Sequence, residues 1–136
     1  MGTKRGRRHI PSGRSSQSNS AGGGYFFIRN GTGLTRTDGN LKIEDLTHGA
    51  NSKEIEVTVV TAEPGASCEE TEIYLGEKWF YILEGKLEML VNDAIYHLSA
   101  GDSIYLESTA AHRWRNAHKG KTRALVFSSP YSLVRV

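Results

Sequence analysis

Cysteine is almost missing from this chain of 136 residues: Cys68 stands alone. No internal disulfide can form, so a cystine-stapled scaffold is excluded. No Cys/His spacing suggests a zinc site, and Cys68 has no neighbouring base that would make its thiol reactive. Long apolar runs are also lacking. Nothing approaches the length that spans a bilayer, and the start of the chain carries no hydrophobic segment of the secretory type, which leaves the cytoplasm as the expected address. A sustained helical period is absent too. What remains is 38% hydrophobic and 24% charged, enough for one compact core in a single domain.

Acids are absent from the first 24 residues, which hold Lys4, Arg5, Arg7, Arg8 and Arg14, six glycines and five serines. This segment cannot bury enough apolar surface to offset the entropy of ordering, so residues 1–24 are expected to be a disordered, basic, Gly/Ser-rich tail. It fits a solvated arm or linker; phosphate contacts with nucleic acid would be nonspecific. The remaining residues, 25–136, carry 12 basic and 15 acidic side chains, a net charge of −3 that the overall +2 conceals.

From Tyr25 onward, short apolar runs alternate with turn residues, the pattern of an all-β domain. Expected strands are Tyr25 to Arg29, Leu41 to Asp45, Glu54 to Ala62, Glu70 to Leu75 and Trp79 to Glu84. Five more follow: Lys86 to Val91, Ala94 to Leu98, Asp102 to Leu106, His112 to Asn116 and Thr122 to Ser128. Turn chemistry separates them at Asn30-Gly31, Asp38-Gly39, Pro64-Gly65, Glu84-Gly85, Asn92-Asp93, Ala100-Gly101 and Lys119-Gly120. Asn116, at a strand end, is placed to hydrogen-bond its own turn. In Ile55-Glu56-Val57-Thr58-Val59 apolar and polar residues alternate, as in a strand with one wet face. The run from Trp79 to Leu83 is apolar throughout, so both faces need cover. One cover is the core; the other is a second subunit, making a homodimer, or the chain's own N-terminal segment.

The phrases Gly76-Glu77-Lys78-Trp79-Phe80-Tyr81-Ile82-Leu83-Glu84-Gly85 and Gly101-Asp102-Ser103-Ile104-Tyr105-Leu106, followed by His112-Arg113-Trp114-Arg115-Asn116, resemble the cupin superfamily. That family carries two motifs, G-x5-H-x-H-x3-4-E-x6-G and G-x5-P-x-G-x2-H-x3-N, separated here by residues 86–100. Gly85, Gly101, His112 and Asn116 fall at the matching positions. The likeness is strongest to cupin domains that follow a helix-turn-helix in bacterial transcriptional regulators. It covers residues 55–129 and implies a double-stranded β-helix, the jelly-roll barrel, over 25–136.

The resemblance also implies a metal site, and there the chain departs from the pattern. Two of the family's histidines map to Glu72 and Tyr74, its glutamate maps to Lys78, and its last histidine maps to His112. An ammonium replaces a carboxylate, so a resident metal cofactor is not expected. Should one bind, Glu70, Glu72 and His112 are the candidate ligands. If Lys78 points inward, Phe80 and Ile82 do so by parity, as Trp114 does with His112. Glu72, Tyr74, Lys78, Phe80, Ile82, His112 and Trp114 then line a pocket for a small organic ligand with one charged or hydrogen-bonding group. The alternatives are that Lys78 reaches out to water and that the aromatics merely fill the barrel. His48, His97 and His118 gain no partner from spacing.

The expected function is therefore non-catalytic: a small-molecule-sensing module related to transcriptional regulators, with a degenerate metal site. A metal-dependent dioxygenase, isomerase or lyase with atypical ligands is the alternative. No helix-turn-helix fits into residues 1–24, so the chain alone is not expected to read a DNA sequence, nor to engage a membrane.

Overall fold

The computed structural model describes residues 24–50, 54–72, 76–107 and 110–129, with the backbone alone at 69–72. The tail from Met1 to Gly23, and Tyr74, lie outside the described residues. Ten strands and no helix form within them. In chain order they are β1 (Leu34–Asp38), β2 (Leu41–Asp45), β3 (Glu56–Ala62), β4 (Ser67–Glu72) and β5 (Glu77–Glu84). Then come β6 (Lys86–Val91), β7 (Ala94–Ser99), β8 (Ser103–Leu106), β9 (His112–Arg115) and β10 (Thr122–Ser129).

The strands make a six-stranded sheet in the order β1-β2-β3-β10-β5-β8 and a four-stranded sheet in the order β4-β9-β6-β7. All the pairings are antiparallel. The connections β3 to β4, β4 to β5, β5 to β6, β7 to β8, β8 to β9 and β9 to β10 all carry the chain between sheets, which is the jelly-roll arrangement. Phe80 and Ile82 of β5, Leu87 and Met89 of β6, Leu98, Leu106, Ala124 and Val126 fill the space between the sheets. Ile82 and Met89 are fully buried, each burial stabilising the fold by about 1.5–3 kcal/mol.

Two expectations about the edge need correction. Tyr25 to Arg29 joins no ladder; the first strand is instead β1, paired with β2 across the Gly39-Asn40 turn. Gly39 has φ of 59°, which supplies the reversal. Only Leu34 in Leu-Thr-Arg-Thr-Asp is apolar, and β1 is exposed throughout, so burial left no mark on its sequence. Most other turn assignments hold. Gly31, Gly65, Gly85 and Gly101 all have positive φ, and so does Asn92, one of the residue types that tolerate it.

Asn116 and Gly85 lock the closed end of the barrel. The Asn116 side chain donates to the carbonyls of Ala62 and Gly120, each at 3.0 Å, and its Oδ1 accepts from the His118 amide at 2.9 Å. Thr122 Oγ1 lies 3.1 Å from that oxygen and donates to the Lys86 carbonyl at 2.6 Å. At Gly85, φ is 83° and a Cβ would come within 2.6 Å of Thr122 Oγ1.

Candidate functional site

The alternation in β3 is real, but its wet face points inward. Glu56 lies opposite Ser128 and Thr58 opposite Val126, while Ser128 and Val126 are in turn opposite Lys78 and Phe80. Since Lys78, Phe80, Val126 and Ser128 are buried, their row partners Glu56 and Thr58 face the interior as well. The row Glu56-Ser128-Lys78 crosses three strands, with the backbones of Glu56 and Lys78 two strand spacings apart, about 10 Å.

These residues open onto a cavity of about 420 Å³. Phe80 and Trp114 supply its aromatic surface and Val60 and Val126 its aliphatic surface. Arg36, Asp45, Glu56 and Lys78 supply charge, and Thr58, Ser128 and Cys68 complete the polar lining. Deeper in the barrel, beyond Phe80, a void of about 10 Å³ lies among Ala62, Leu87, Thr122 and Ala124. The interior is thus an open polar chamber at one end and a packed plug at the other.

Lys78 is 8% exposed, so its side chain stays inside the barrel. Its Nζ lies 6.0 Å from the Phe80 ring centroid, at the outer limit of a cation–π contact. Asp45 is held at the rim: Oδ1 accepts from the amide and hydroxyl of Thr47 at 2.9 and 3.0 Å. Thr47 Oγ1 accepts from the Val57 amide at 3.2 Å, which ties the end of β2 to β3.

Of the residues singled out from the sequence, Lys78, Phe80 and Trp114 meet at the cavity. Ile82 belongs to the packed core and does not line the chamber. His112 is buried, with its ring edge-on to Phe80 at 6.3 Å, but lies off the cavity wall. Its Nδ1 is 3.2 Å from the Ala110 carbonyl. Because a carbonyl only accepts, Nδ1 is the donor in this contact. Glu72 pairs with His112 in the backbone register, and for Glu70 and Glu72 the backbone alone is described.

Sequence reasoning missed Arg36, Asp45, Glu56, Thr58 and Ser128. The polar parity of β3 is the available signal, but alternation alone does not distinguish a solvent face from a polar interior. The remaining histidines are peripheral. His97 is exposed, with Nδ1 3.9 Å from Glu88 Oε2, while Glu88 Oε1 accepts from Arg115 Nε at 2.7 Å. His48 is exposed, and His118 contributes its amide to Asn116.

The family model described as "Cupin domain" matches residues 58–128, just over half of the chain. The chain belongs to the cupin family. Its fold agrees with that of an RmlC-like cupin from Shewanella frigidimarina at a TM-score of 0.67 and 21% identity, over 84% of this chain and 94% of the other. An oxalate decarboxylase from B. subtilis matches at a TM-score of 0.65 and 16% identity, over 75% of this cupin and 28% of that chain. In sequence, this cupin is 28% identical over 86 residues to the HTH-type transcriptional regulator PuuR of Escherichia coli K12. The match covers 62% of this chain and 46% of the regulator, so the chain spans about half the length of the curated relatives it matches.

Proposed function

We propose that this cupin is a non-catalytic, small-molecule-binding domain, a ligand-sensing module of the kind joined to transcriptional regulators, acting in the cytoplasm. The observation that carries the reading is the inward-facing polar row Glu56-Ser128-Lys78 at the wall of the 420 Å³ cavity. Placing polar and charged side chains inside a small barrel costs desolvation energy that an apolar filling would avoid. A ligand that uses these groups gives the barrel a reason to keep them. The likeness to PuuR, a transcriptional regulator, supports the sensing role.

The reading uses no resident metal. At the position where the family pattern has a carboxylate stands Lys78, whose ammonium offers three donors and no lone pair. His112, the one retained family ligand, lies off the cavity wall. An ammonium at the carboxylate position does not fit the family's divalent cation, and no reaction step is derived through one.

The ligand class follows from the lining. Phe80 and Trp114 offer flat apolar surface, Ser128 and Thr58 hydroxyls, and Lys78 an ammonium for a carboxylate or similar anionic group. A panel of small carboxylates, amino acids and sugars, screened by thermal shift at concentrations far above Kd, should yield stabilising compounds; 100-fold excess corresponds to about 2.7 kcal/mol. Lys78→Met should abolish the shift for anionic compounds while leaving the far-UV spectrum intact. Unchanged binding in Lys78→Met refutes the assignment of Lys78. Stoichiometric metal in protein purified without a metal-binding tag, lost in His112→Ala, would replace this reading with a metal-dependent one.

A further inference from the structure

The charges that line the cavity are of both signs, and the sheet sorts them. Asp45 of β2 lies opposite Thr58 of β3, and Glu56 stands two residues from Thr58 on the same face, so the two acids are diagonal neighbours. Such neighbours are about 7–8 Å apart across adjacent strands. Thr47 engages Oδ1 of Asp45 through its amide and its hydroxyl, which fixes the carboxylate at the rim; Oδ2 is the oxygen that Thr47 does not use. Lys78 enters from β5, on the far side of β10, where Ser128 and Val126 make a neutral stretch between the acids and the ammonium. Arg36 of β1, diagonal to Asp45, is exposed at the outer edge. Among the described lining residues, two carboxylates and two cations therefore balance.

We propose, on the strength of the ligand-binding reading above, that the ligand of this cavity is a zwitterion: a free amino acid with its ammonium between Asp45 and Glu56 and its carboxylate on Lys78. A plain carboxylate would meet Lys78 but bring its charge toward two acids. A plain amine would meet the acids but approach the lysine. Each gains one contact and suffers one repulsion, whereas a molecule carrying both charges is matched at both ends. An ammonium has three N–H donors, enough for two flanking carboxylates. Lys78 donates in turn to the ligand's carboxylate, a charge-assisted bond, and the Ser128 hydroxyl stands beside it in the row.

The size of the chamber and the rest of its lining suit the same class. A volume of about 420 Å³ stands near the lower end of the roughly 300–1,000 Å³ usual for ligand pockets, which is room for an amino acid rather than a larger molecule. Leu41, Ile43, Val60, Phe80 and Trp114 give the ligand's side chain an apolar wall. An aliphatic or aromatic amino acid is therefore favoured over one with a second charge, which would be desolvated there without a partner.

Isothermal titration of the full chain with each standard amino acid tests the proposal, the tightest being compared with its N-acetyl and carboxamide derivatives. The first derivative keeps only the negative charge, the second only the positive one. At least one free amino acid should bind, and both of its derivatives should bind about tenfold more weakly or worse. Asp45→Asn, which keeps an oxygen for Thr47, and Glu56→Gln should each weaken the free amino acid by about tenfold without weakening the N-acetyl form. Lys78→Met should weaken the free amino acid but not the carboxamide. Circular dichroism checks that each variant is folded, and Asp45→Asn, at the rim, decides alone should the inner two fail to fold. A derivative that binds as tightly as its parent overturns the zwitterion and leaves the small-molecule reading standing. So does a wild type that binds small carboxylates or sugars but no amino acid. A wild type that binds none of these compounds overturns both.

Discussion

Replacing Asn116 with alanine removes a side chain that is 0% exposed and holds three segments of chain together. Its amide group donates to Ala62 at the end of β3 and to Gly120 before β10, and its oxygen accepts from His118. The contact with Thr122 adds less, because the single hydroxyl proton goes to the closer Lys86 carbonyl. Three firm bonds at about 1 kcal/mol each suggest a loss near 3 kcal/mol. Two effects move this figure in opposite directions: the Ala62 carbonyl is left buried without its donor, while Gly120 and His118 lie nearer water and rehydrate. A range of about 2–4 kcal/mol results, a large share of the 5–15 kcal/mol of a typical domain. In urea denaturation, with a slope of about 1.5 kcal/mol per molar, the midpoint should fall by roughly 1.3–2.7 M. Asn116→Asp separates the bonds from the volume. It keeps the size but sets a carboxylate oxygen against two carbonyls, which raises the carboxyl pKa in the fold. The protonated form is thus the stable one, and the penalty should grow as pH rises through that raised pKa. A midpoint shift below about 0.5 M for Asn116→Ala would refute the assignment of the side chain as the clasp of the barrel's closed end.

Three further outcomes are expected. Gly85→Ala combines a positive φ with a contact against Thr122 and should cost about 2–4 kcal/mol, whereas Gly101→Ala, at φ of 95° but facing open space, should cost only about 1–2 kcal/mol by the same denaturation assay. Equal losses would show that the close approach to β10 is unimportant. Met89→Ala empties a fully buried position and should lower stability by about 2–4 kcal/mol; a loss below 1 kcal/mol would mean that the core collapses around it. The Tyr105 hydroxyl is raised above its ordinary pKa of 10, first by its hydrogen bond to Glu77 and then by desolvation and the nearby carboxylates. Glu77→Gln should let the phenol ionise at lower pH in an absorbance titration, and an unchanged curve would refute the contact.

The physical basis of what could be read in advance is local. Glu84-Gly85 and Ala100-Gly101 mark reversals because a left-handed backbone conformation favours glycine, and both have positive φ. The strand from Thr122 onward was legible because its alternation continues without a break, buried and half-buried in turn. β1 was not, since an edge strand with no buried side chain has no apolar pattern to display. Tyr25 to Arg29 misled for the opposite reason: Tyr25 and Phe27 have strand-forming side chains, yet both remain exposed and the segment finds no ladder partner. At the cavity, parity correctly grouped Lys78 with Phe80, but Ile82 shares that face and lies in the plug. Alternation specifies which residues share a face, not how deep along the barrel each one sits.

The sequence by itself determined the all-β class, most of the turns, the cupin pattern and the grouping of residues on strand faces. These follow from φ preferences and from a side-chain period of two, which are properties of neighbours along the chain. Only the tertiary structure decided which face of β3 looks inward. That choice depends on β10 and β5, where buried Ser128 and Lys78 extend the polar row across the sheet. Once Glu56 and Thr58 are inside, Val57 and Val59 must be outside, because adjacent residues of a strand point to opposite faces.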